Sequence, residues 1–207
     1  QSLVSFLNTD FFAVTGATVP ANLIVSNLGP TGILNTYAGS GAAVLTSSLG
    51  ASTVNLANDT RIDGVVINND ALGIGIVGSG VSNVIIRNSI ISGTGGAISI
   101  TDGGAAASVT LTNLELSASG GRALALSGAG AGTLNVSGTG INIAATGAAS
   151  AVGLTDVTVG TLDIGSVTTE FPISNGVMFN QVAGGTVNVG SVTTFRTTSP
   201  PGTALAV

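Results

Sequence analysis

Thr161-Leu-Asp-Ile-Gly-Ser-Val-Thr-Thr-Glu-Phe171 and Thr186-Val-Asn-Val-Gly-Ser-Val-Thr-Thr-Phe195 are two copies of one motif. Their shared Gly-Ser-Val-Thr-Thr recurs 25 residues on. Working outward, the same apolar-x-apolar opening stands at Leu134-Asn-Val136, Val109-Thr-Leu111, Val84-Ile-Ile86 and, more weakly, Thr60-Arg-Ile62. Unit starts at Thr60, Val84, Val109, Leu134, Leu162 and Val187 are separated by 24 to 28 residues. A fixed period of this length is the signature of a repeat architecture.

Each unit has internal structure. A second apolar pair follows the first: Val65 and Ile67, Leu114 and Leu116, Ile141 and Ile143. A Gly-led third segment comes later: Gly73–Ile76, Gly96–Ile100, Gly121–Leu126, Gly153–Val157 and Gly176–Phe179. All three alternate with period two, as half-buried strands do. Gly, Ser, Asn and Asp stand between them, where turns need them. No stretch carries a 3.6-residue apolar stripe, so no long helix is expected. A unit of three short strands cannot bury its apolar face alone, and stacking the units buries a continuous core. The expected fold is all-β: a right-handed parallel β-helix of six or more coils, three short strands per coil of about 25 residues.

In such a stack, equivalent positions form ladders at a spacing of about 4.8 Å. Asn88 and Asn113 share an offset and are expected to begin an Asn ladder at a corner. Asp63 and Arg87 also share one, and are expected to pair across adjacent coils as an exposed ion pair that holds register. Phe171 and Phe195 follow the same Val-Thr-Thr and are expected to stack inside or at a corner.

Composition excludes much chemistry. The 207 residues include 32 Gly, 4 Arg as the whole basic complement, 9 Asp+Glu, and no Lys, His, Cys or Trp. Charged residues are 6 %, against about 25 % in an ordinary domain. Without His or Cys there is no Cys/His zinc site, Ser-His-Asp apparatus or thiol redox centre. Four scattered Arg and a net charge of −5 argue against nucleic-acid binding. The most apolar stretch, Ala71 to Val81, is too short for a spanning helix and is broken by Gly. The chain starts at Gln1 with no basic-then-apolar leader, so a signal peptide is expected to be absent or already removed.

The run Val54 to Asn69, with Val84-Ile-Ile-Arg-Asn-Ser-Ile-Ile-Ser-Gly93 and Gly95–Ile100, resembles right-handed β-helix repeats of the pectate-lyase-like superfamily. It is most similar to those of bacterial surface and autotransporter-like passenger proteins. The resemblance spans about residues 40–207. It implies an extracellular or cell-surface location.

Enzymes of that fold use clustered carboxylates, and glycoside hydrolases need them about 5–9.5 Å apart. Here Asp63, Asp70, Asp102, Glu115, Asp156, Asp163 and Glu170 scatter round the coil, so no catalytic residue is assigned. Asn58-Asp59 with Asp63, and Asn68-Asn69-Asp70, are the richest oxygen clusters, yet neither meets the six to eight ligands of calcium. No metal or cofactor is expected. A flat Thr-x-Thr ladder is represented by Thr110-Leu-Thr112 alone. Asn58-Asp-Thr60 and Asn135-Val-Ser137 fit the N-glycosylation sequon.

Residues 1–40 lack the repeat and carry Phe6, Phe11, Phe12, Tyr37, Pro20 and Pro30. They are read as a capping or docking segment, with 41–207 as the β-helix. Exposed coil ends are sheet edges and need covering. Phe6, Phe11, Phe12, Leu205 and Val207 are therefore the candidate assembly contacts. The expected function is a non-enzymatic structural module: a surface adhesin or passenger stalk, or a self-assembling filament subunit. Its partners would be further copies joined end to end, or a longer parent chain, with a host or surface glycan as a possible ligand. The alternative is a carbohydrate-binding or carbohydrate-cleaving β-helix.

Overall fold

The computed structural model describes residues 2–4, 43–47, 50–70, 72–102, 107–128, 134–147, 150–170, 176–195 and 205–206. It is all-β, a parallel β-solenoid of about five turns. The strands are β1 (Ser2–Val4), β2 (Ala43–Ser47), β3 (Val54–Asn55), β4 (Arg61–Asp63), β5 (Val65–Asn69) and β6 (Ile74–Ser79). There follow β7 (Val84–Gly93), β8 (Gly96–Thr101), β9 (Ala107–Ala118), β10 (Arg122–Ser127) and β11 (Leu134–Thr146). The last are β12 (Val152–Thr155), β13 (Val157–Glu170), β14 (Val177–Asn180), β15 (Ala183–Phe195) and β16 (Leu205–Ala206).

Two sheets face each other. The long sheet runs β1-β4-β7-β9-β11-β13-β15, with β2 and β5 completing its first rungs. The short sheet runs β3-β6-β8-β10-β12-β14-β16. Neighbouring described strands are parallel because the chain circles once before it returns to the same sheet.

The repeat period is right, but its three strands become two. The first and second apolar pairs fuse into one long strand from β7 onward. A left-handed residue divides them between β4 and β5 and within β7, β9 and β11: Gly64 at φ 67°, Asn88 at 51°, Asn113 at 50° and Gly140 at 68°; β13 has none. Asn and Gly tolerate that conformation at least cost. The kink lets apolar residues on both sides point inward. A second left-handed corner leads into the long strands, at Asp59, Asn83, Asp156 and Gln181.

Three further differences concern register and number. About five turns are described rather than six or more. Val109 stands opposite Val136, not the expected unit start Leu134. The segment expected at Gly153–Val157 is β12, Val152–Thr155, and Val157 opens the next long strand after Asp156.

The core lies between the sheets as one continuous cluster of aliphatic ladders. Ile67, Ile91, Leu116, Ile143 and Val167 stack in one column of the long sheet. Ile76, Ile98, Leu124, Val152 and Val177 stack in the short one. All ten are 3 % exposed or less. Fully burying one such side chain contributes about 1.5–3 kcal/mol. This explains a composition rich in Val, Ile and Leu and poor in aromatics: thin side chains fit two sheets that repeat at a constant distance.

Ser2–Val4 pair with Arg61–Asp63, so the start of the segment 1–40 runs in the long sheet. Val4 stands opposite Asp63, and Ala43 opposite Val65. The chain thus leaves the ladder at the Gly64 corner and rejoins it there. Residues 5–42 lie outside the described residues.

Candidate functional site

The densest polar cluster grows from the Gly64 corner. Asp63 ends β4 with its side chain fully buried. One carboxylate oxygen accepts from Arg87 Nε of the next rung, and from Arg61 Nη2 at 3.0 Å. The other accepts from Asn88 Nδ2 at 2.9 Å. Asn88 Oδ1 in turn accepts from Asn113 Nδ2 at 3.1 Å. The ladder closes at Gly140, where a Cβ would stand 2.6 Å from Asn113 Oδ1. Both expected pairings therefore form. The correction concerns burial: Asp63 is not an exposed partner, because two guanidinium groups and the Asn88 amide cover it. Its oxygens are committed to holding two consecutive strands, β4 and β7, in register.

The other polar residues follow the same logic. Asp59 Oδ1 accepts from Asn83 Nδ2 at 2.7 Å, and Asn58 Oδ1 accepts from Ser82 N at 2.9 Å. Asn69, 1 % exposed, donates to Ala51 O at 2.7 Å and ties the long sheet to the preceding loop. Asp163 Oδ1 accepts from Asn188 Nδ2 at 2.6 Å. Asn68 and Ser92, Asn142 and Ser166, and Thr110 and Ser137 bridge rungs in the same way. Asp70 is exposed and lies at the far end of β5 from Asp63, so the structure does not bring these two carboxylates together. Among the described residues no three acidic side chains converge where a metal ion could sit. In the sequons Asn58 and Asn135 are exposed, and Asn135 Nδ2 donates to Ala107 O at 3.3 Å.

Of the candidate assembly contacts, Leu205 alone is among the described residues. Leu205 stands opposite Val177 in the last short-sheet rung. Phe6, Phe11, Phe12 and Val207 lie outside the described residues, as does Phe171. Phe195 is 57 % exposed and its register partner is Glu170.

The repeat predicts the strand that Phe195 ends, but not how far its side chains are covered. β15 pairs with β13 along one edge, and among the described residues nothing pairs with the other. Its inward Val187, Val189 and Val192 are half-buried, whereas their β13 partners Leu162, Ile164 and Val167 are at most 1 % exposed. The signal was readable. β13 carries Asp163 and Glu170, and β15 carries Asn188 and Phe195 at those positions.

The fold and these polar ladders define a parallel β-solenoid whose side chains mostly bond their own equivalents one turn away. No family model, curated protein or solved structure matches the chain.

Proposed function

We propose that the chain is a non-enzymatic extracellular structural module, a surface stalk or filament subunit like the passenger-type β-helices that its repeats resemble. The observation that supports this most is the use to which its polar groups are put. Asp63, Asn88, Asn113, Asp163 and Asn142 spend their hydrogen bonds on the next rung. Groups so engaged set axial register and stiffness. Such a solenoid spaces its ends at a fixed distance, which is what a stalk or filament requires.

The test is incubation of the purified chain with a panel of acidic and neutral polysaccharides, alongside electron microscopy. The module reading expects no release of reducing ends or unsaturated products, and rods or fibres of uniform width. Turnover that disappears in Asp63→Asn or Asp70→Asn would overturn it.

A further inference from the structure

We infer that β1 and β2 are the two halves of one long-sheet strand, that residues 5–42 are an insertion at its corner, and that the solenoid folds without them. The register is the first observation. β1 lies on β4 with Val4 opposite Asp63, and β2 lies on β5 with Ala43 opposite Val65. Between Asp63 and Val65 stands one residue, Gly64. Val4 and Ala43 therefore flank a single register position. Gly64 holds that position in the next rung, and Asn88, Asn113 and Gly140 hold it in β7, β9 and β11, each left-handed.

The alternation agrees. Leu3 stands opposite the buried Ile62, and Ala43 and Leu45 stand opposite the buried Val65 and Ile67. Across one residue, Ser2-Leu-Val4 and Ala43-Val-Leu-Thr-Ser47 repeat the order of Arg61-Ile-Asp-Gly-Val-Val-Ile-Asn-Asn69. The intervals locate the surplus. Val4 and Asp63 are 59 residues apart, against 24 for Asp63 and Arg87. Ala43 and Val65 are 22 apart, close to an ordinary turn. The extra chain therefore falls wholly between Val4 and Ala43.

A segment that leaves and rejoins a ladder at one point interrupts no strand pairing, and such places tolerate insertion best. An insertion and an end cap have opposite energetics. A cap covers the terminal rung, so its loss uncovers core. An insertion adds loop-closure entropy, so its loss leaves stability unchanged or raises it. Phe6, Phe11 and Phe12 belong to the inserted segment, whereas Leu205 belongs to the ladder. This division of the chain holds whichever function the solenoid serves.

The test replaces residues 5–42 by one residue, joining Val4 to Ala43 through Gly, Asn or Val. The Gly and Asn chains are expected to keep the β-sheet circular dichroism and to unfold in urea at or above the midpoint of the full chain. The Val chain is expected to unfold at a lower midpoint than either, because a β-branched residue fits a left-handed corner poorly. Joining Val4 directly to Ala43 is also expected to lower the midpoint, since it slips β2 by one place and turns Ala43 and Leu45 to the other face. Register is read separately. The chain has no Cys, and Thr46 and Asn68 are register partners on adjacent rungs. At about 4.8 Å they are within disulfide reach. Thr46→Cys with Asn68→Cys is expected to close on mild oxidation in the full chain and in the Gly-joined chain alike. A Gly-joined chain that unfolds below the full chain would make residues 5–42 a cap. Equal midpoints for every join, or a cysteine pair that fails to close in either chain, would show that β1 and β2 are not one strand. Each of these results would overturn the inference.

Discussion

Asp63 shows how much one residue can do in a stacked fold. It touches its own rung through Arg61 and the next through Arg87 and Asn88. Removing a partner from a buried ion pair costs about 3–5 kcal/mol, because the remaining groups keep their desolvation penalty. Arg61 and Arg87 are partly exposed, at 24 % and 29 %, so water relieves part of that cost. Asp63→Ala is expected to lower stability by about 3 kcal/mol in urea unfolding. A change below ~1 kcal/mol would mean that the cluster is a solvated surface pair. The pairing of Asp63 with Arg87 was legible in the sequence, because parallel in-register stacking turns equal offsets into neighbours. Its burial was not legible. It depends on Arg61 folding back along its own strand and on Asn88 reaching across, which no spacing rule encodes.

At the scale of the element, the short-sheet strands show where backbone approach decides a residue. A Cβ on Gly121, just before β10, would lie 1.6 Å from the Gly95 carbonyl oxygen of the preceding turn. No side-chain motion relieves a clash with backbone. Gly121→Ala is therefore expected to cost at least ~2 kcal/mol, read as a lower thermal midpoint. Gly50 has nothing within 4 Å of its Cβ position, so Gly50→Ala is the matched control. It is expected to be neutral or stabilising by up to about 1 kcal/mol. The unit start expected at Leu134 was displaced for an instructive reason. Leu134 and Val136 both point inward, so a shift by two keeps the apolar pattern intact. Alternation determines which face a residue takes, and it does not determine which of two like-facing residues meets a given neighbour.

At the scale of the molecule, the ladders make stability a property of neighbours. Each rung is buried by the rungs above and below, so central rungs count double and terminal rungs single. Leu111, fully buried between β7 and β11, is expected to cost about 3 kcal/mol on change to Ala. Val187, half-buried on the last long-sheet rung, is expected to cost about 1 kcal/mol on the same change. Equal costs in urea unfolding would mean that the terminal rung is covered as fully as the centre. The low charge of the chain belongs to this scale too. Every surface position meets its own equivalent about 4.8 Å away. Like charges in such a ladder repel, and Asn, Ser and Thr can bond one another.

The sequence by itself determined the parallel stack, the period, the aliphatic core and the Asp63–Arg87 and Asn88–Asn113 pairings. These follow from local alternation and from a repeat that converts interval into contact, so one dimension suffices to read them. The tertiary structure decided the fusion of two strands at a left-handed corner and the burial of Asp63. Each depends on how the chain closes on itself in three dimensions. A kink is set by steric fit between opposed sheets, and burial by side chains converging from different turns.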